Sequence, residues 1–130
     1  MKSLVSLFAA LGLVSAVASP ALAADGRQLF LDNCAACHQP TGKGVAGAFP
    51  ALAGSKVVLG DPKEPITRIL NGRGGMPAFQ NDLSDTEVSA ILTYIRSAWG
   101  NKAAPVAVPQ VLAFRSNTRR ENAKASLQAH

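Results

Sequence analysis

Residues 33–44 read "NCAACHQPTGKG" and hold both cysteines of the chain and one of its two histidines. Two thiols three residues apart, with an imidazole directly after the second, admit four chemistries: a disulfide, a thioredoxin-like redox pair, a zinc site or haem attachment. A disulfide closing so small a loop removes little entropy from the unfolded chain. A redox pair belongs in a βαβ surround, and the flanking sequence does not read that way. A structural zinc site needs four ligands, and outside the leader the chain offers only Cys34, Cys37, His38 and the terminal His130. C-x-x-C-H is the attachment signature of c-type haem. The spacing puts both sulfurs on one side of a helical turn, where they reach the two vinyl groups of one porphyrin, with His38 beneath the iron.

Working outward, the start of the chain sets the compartment. Lys2 is the only charge before Asp25, and Leu4 to Val17 is an unbroken run of apolar and small residues. Ala21 and Ala23 then supply the small residues of a cleavage site, so residues 1–23 are predicted to be a secretory signal peptide cut after Ala23. The run falls short of the ~20 residues that span a bilayer, and no later stretch is apolar enough to do so. The expected product is periplasmic, with no membrane span after cleavage. C-type haem is attached in that compartment.

The 130-residue chain carries 13 Lys and Arg against 8 Asp and Glu, a formal +5 to which the leader contributes one charge. The basic excess gathers in Arg115, Arg119, Arg120 and Lys124. Basic residues are not interleaved with aromatics, so nucleic acid is not an expected partner. The cluster reads as the solvated end of a tail or as a contact for an acidic partner.

The iron's sixth position is either open or closed by a side chain. Beyond the leader there is one methionine, Met76, in "NGRGGMPAF". Gly72, Gly74 and Gly75 let the backbone pass close to a flat ligand, and Pro77 fixes it just after the thioether. This loop is built to present Met76 to the iron; the alternative is a methionine filling an apolar gap.

"CAACH", "GAFPALAG", "ILNGRGGMPAF" and "LSDTEVSAILTYIRSAWGN" together resemble class I cytochromes c. The narrower resemblance is to the small monohaem cytochromes that accept electrons from periplasmic alcohol, aldehyde and sugar-acid dehydrogenases. It covers Asp25 to Arg115. It implies a small all-α fold, three main helices around one covalently bound haem c. It implies redox protein partners, a dehydrogenase as donor and an oxidase or another cytochrome as acceptor. It also implies that Pro50, 12 residues after His38, offers its carbonyl to the other nitrogen of that histidine; otherwise Pro50 is a turn former. Arg73 is expected either to pair with a haem propionate or to lie solvated.

The residues place the helices independently. Asp25 caps a helix over Gly26 to Ala36. Ile66, Ile69 and Leu70 share one face of "PKEPITRILNG", which Gly72 ends. Ser84 and Glu87 form a capping box, with Leu83 and Val88 spaced as a hydrophobic staple. Val88, Ile91, Leu92, Ile95 and Trp99 repeat at helical period up to Gly100. No segment alternates as a strand would. The expected organisation is a signal peptide over 1–23, a haem domain over 24–115 and a polar basic tail over 116–130. The expected function is one-electron transfer, by a free shuttle or a subunit bound in a dehydrogenase complex. An open-site peroxidase or gas binder would require Met76 to be off the iron.

Overall fold

A computed structural model describes residues 24–128. The leader expected over 1–23 and His130 lie outside the described residues. The described chain is helical, with two isolated bridge pairs and no strand. Its elements are α1 (Gly26–Asn33), α2 (Ala35–His38), α3 (Lys56–Leu59), α4 (Lys63–Asn71), α5 (Asp85–Ser97) and α6 (Val108–Gln128).

The expected helix starts are present. The Asp25 carboxylate accepts from the Arg27 and Gln28 amides, and Ser84 and Glu87 exchange both bonds of a capping box. These bonds hold the Glu87 carboxyl below its ordinary range. α1 and α5 cross in the most extensive contact between helices of the described chain. Gly26 makes the crossing possible, since a Cβ there would lie 2.2 Å from the Ala90 carbonyl oxygen. Phe30 then sits among the rings of Tyr94 and Trp99, with centroids 5.6 and 5.1 Å away. Phe30, Ile66, Leu70, Val88, Ile91 and Leu92 are fully buried, each contributing about 1.5–3 kcal/mol by leaving water.

The structure departs from the sequence expectations in three places. The helix expected over Gly26–Ala36 breaks at Cys34, which leaves helical geometry at φ −124°, and a new turn carries on to His38. α5 stops at Ser97 rather than running on to Gly100. Trp99 takes φ 54° there, because its ring turns back onto Phe30 while its indole N–H donates to the Pro40 carbonyl at 3.1 Å. Beyond the three main helices expected, the segment after Pro105 leads into α6, a further helix of 21 residues that includes Pro109. A proline is tolerated in a first helical turn because its missing N–H would be unpaired there anyway, and Pro109 occupies that turn. The side chain of Gln110 accepts from the Ala107 amide at 2.8 Å and closes the helix start. α6 runs straight through the boundary expected at residue 115, although among the described residues burial ends at Arg115.

Candidate haem site

The break at Cys34 shapes the site. Cys34 ends α1 and opens the four-residue turn α2, so Cys37 and His38 follow within one turn of it. Both cysteines are free thiols, half-buried. Burial first, and then the neighbouring Cys37, push the Cys34 thiol up to about 11.

The loop after α2 folds back over the histidine. The Gly44 amide donates to the His38 carbonyl at 2.9 Å, and the Val45 amide to the Phe49 carbonyl at 2.8 Å. Gly44, at φ +62°, comes so close that a Cβ would lie 2.3 Å from the Phe49 carbonyl oxygen. This turn delivers the Pro50 carbonyl to His38, whose Nδ1–H donates to it at 2.9 Å. A carbonyl can only accept, so a proton is on Nδ1, and in the neutral ring the lone pair is then on Nε2. Asn101, buried, steadies the same loop from the far end of the chain. It accepts from the Gly54 amide at 2.8 Å and donates to the Leu52 and Ile95 carbonyls.

On the opposite side, α4 ends at Gly72, at φ +71°, where a Cβ would lie 2.5 Å from the Met76 carbonyl oxygen. Arg73 and Met76 exchange backbone bonds at 3.1 and 3.0 Å, which closes a tight turn. The Met76 side chain is half-buried and packs against the core.

These segments enclose a cavity of about 480 Å³. Cys34, Cys37, His38, Pro50, Arg73 and Met76, distant in sequence, all line it, among apolar side chains such as Leu52, Val58, Ile69 and Phe79. Sequence reasoning missed Arg68. It also lines the cavity, and its Nε is buried with no hydrogen-bond partner. Among the described residues its one ionic neighbour is the exposed Glu64, at 3.6 Å. The i,i+4 spacing of that pair disguised Arg68 as a solvated surface residue. A buried guanidinium nitrogen without a partner is costly and calls for an anion in the cavity. An apolar cleft with two thiols, an imidazole, a thioether and a guanidinium whose buried Nε lacks a hydrogen-bond partner fits a flat apolar macrocycle carrying a metal and acidic arms.

The fold and cavity are those of an all-α c-type haem protein. Residues 21–95 match the family described as "Cytochrome C oxidase, cbb3-type, subunit III", and the chain belongs to the cytochrome c family. It is 38% identical over 108 residues to the cytochrome c6 of Picosynechococcus sp., covering 73% of this chain and 92% of that one. It is 36% identical over 90 residues to the "Alcohol dehydrogenase (quinone), cytochrome c subunit" of Gluconobacter oxydans, covering 60% of this chain. The chain spans 19% of the length of that subunit. To the cbb3-type cytochrome c oxidase subunit FixPc of Rhizobium leguminosarum bv. viciae it is 38% identical over 93 residues, 68% of this chain and 32% of the relative. Members of the family bind haem c covalently and carry electrons, and this chain is a domain for one such haem. Among the described residues no helix is long and apolar enough to cross a membrane.

Proposed function

We propose that this protein is a periplasmic one-electron carrier whose haem is attached through Cys34 and Cys37 and ligated by His38 and Met76. It takes electrons from a dehydrogenase and passes them toward the respiratory chain. The observation that carries the reading is the convergence of His38 and Met76 on the same apolar cavity as the two thiols. When bound, the haem supplies an iron that gains and loses one electron. The chain does the rest. The two thiols would hold the macrocycle by its vinyl groups, Cys34 from the junction of α1 and α2 and Cys37 from α2. The Pro50 carbonyl holds the proton on His38 Nδ1, aims Nε2 at the metal and raises its basicity. The Met76 thioether is a soft ligand that favours the reduced metal. The apolar lining would keep water away from the metal, and ligation by both His38 and Met76 would leave little to rearrange on electron transfer.

Arg68 would hold a propionate through the nitrogen that has no hydrogen-bond partner; Arg73, exposed at the rim, is a weaker second candidate. Replacing Arg68 with glutamine removes a cation that disfavours the oxidised metal. The potential should fall by up to ~60 mV, the one-electron equivalent of about 1.4 kcal/mol. Arg73→Gln should move it less. Potentiometric titration of the two variants checks the order.

The donor class rests on the alcohol dehydrogenase cytochrome subunits among the relatives. Their similarity also supports a second reading, in which the chain works as the bound cytochrome subunit of such an enzyme. Redox titration of the purified protein should give a reversible one-electron wave, and its reduced form should bind carbon monoxide slowly or not at all. Rapid carbon monoxide binding, or turnover of peroxide, would replace the carrier with an open-site haem protein.

A further inference from the structure

Arg115 is a buried arginine, 8% exposed, that does not line the cavity. It lies on α6, one turn beyond the fully buried Val111. Its Nε donates to the Asp85 carboxylate at 2.6 Å, one Nη to the Gln80 carbonyl and the other to the Leu83 carbonyl at 2.9 Å. Two of the acceptors, Gln80 and Leu83, belong to the segment that leads from Met76 to α5, and Asp85 is the first residue of α5. The opposite edge of that segment is held by α4, whose Ile69 and Leu70 carbonyls accept from the Phe79 and Gln80 amides at 2.9 and 3.2 Å. Gln80 is therefore gripped on both sides, four residues beyond Met76. Upstream of the methionine the loop is glycines and one exposed arginine, held by the Arg73–Met76 backbone turn and the Gly72 amide bond to the Arg68 carbonyl but by no side chain of α6.

We propose that Arg115 is a positioning residue for Met76 and that α6 acts as a clamp on the methionine loop. The inference rests on Met76 being the sixth ligand. With the clamp closed, the three bonds exist only while Gln80, Leu83 and Asp85 keep their places. When the loop opens, Arg115 loses its acceptors. The bonds therefore set the fraction of molecules in which the thioether has left the iron. A ligand that binds only the open molecules sees an affinity reduced by that fraction. Local opening of this kind is separate from global unfolding and has its own free energy.

A second buried arginine provides the control. Arg96 on α5 also holds three carbonyls, those of Val58, Gly60 and Ala104, and none belongs to the methionine loop. Removing either arginine should lower global stability. Only removal of Arg115 should open the iron.

The test measures imidazole affinity of the ferric holoprotein and carbon monoxide association with the ferrous one. Wild type, Arg115→Gln, Arg115→Lys and Arg96→Gln are compared. Arg115→Gln should bind imidazole about tenfold or more tightly, in line with the larger open fraction. It should take up carbon monoxide correspondingly faster. Arg115→Lys keeps the charge but not the three-way fork, should fold in any case, and should fall between. Arg96→Gln should match wild type in both, whatever its melting temperature. Wild-type affinity in both Arg115 variants would overturn the proposal, as would an equal rise in Arg96→Gln, which would mean global loosening. If the ferric wild type lacks the far-red absorption of an iron–thioether bond, the ligand assignment itself fails and the clamp with it. If that band is present and the Arg115 variants are unchanged, only the clamp fails.

Discussion

Met76→Ala is expected to lower the reduction potential by on the order of 200 mV, a fraction of the ~0.8 V over which axial ligands set haem potentials. At ~59 mV per 1.4 kcal/mol that is about 5 kcal/mol of preference for the reduced iron. The sign follows from the thioether, a soft donor that stabilises Fe(II) more than Fe(III); water or a harder side chain in its place reverses the preference. The half-buried sulfur is held in an apolar wall, so truncation also admits solvent, which favours the more highly charged oxidised site. Carbon monoxide should then bind the reduced variant rapidly. The fold should survive, since Met76 is at the edge of the core and the loop is anchored downstream at Gln80. An unchanged potential, measured by titration against redox mediators, would remove Met76 from the iron.

Replacing both Cys34 and Cys37 with serine should abolish haem that survives denaturing electrophoresis and should leave most of the chain unfolded. The second effect follows from cavity size. At ~24 cal/mol per Å³, an apolar cavity of about 480 Å³ left without its occupant costs on the order of 10 kcal/mol. Even half of that, for a cleft open on one side, matches the 5–15 kcal/mol by which whole domains are stable. Each single replacement leaves one thioether and should retain haem. Haem staining of the gel and far-ultraviolet circular dichroism read the two effects separately. A well-folded, haem-free double variant would show that the apolar core suffices alone.

The structure leaves the Ser84 capping box and the buried faces of α4 and α5 where sequence patterning put them. Those signals are local: a cap needs residues three apart, and an amphipathic face needs only its own period. α6 was hidden because Pro109 reads as a break unless the helix is known to begin there. Arg68 was hidden because its partner Glu64 is visible in the sequence while the rotation of α4 that buries its Nε is not. Nothing near Arg115 in sequence announces Gln80, Leu83 or Asp85 as its acceptors.

The sequence by itself determined the chemistry on offer: two thiols and an imidazole in one turn, a single thioether in a glycine–proline loop, and helices to carry them. These are covalent facts and short-range patterns, fixed before any long-range contact forms. Tertiary structure alone decided that the Pro50 carbonyl meets His38 Nδ1, that Met76 shares a cavity with residues some forty positions away, and that the Nε of Arg68 and the guanidinium of Arg115 are buried. Those outcomes depend on how α1, α4, α5 and α6 pack against one another, and so on contacts that no segment of the chain contains by itself.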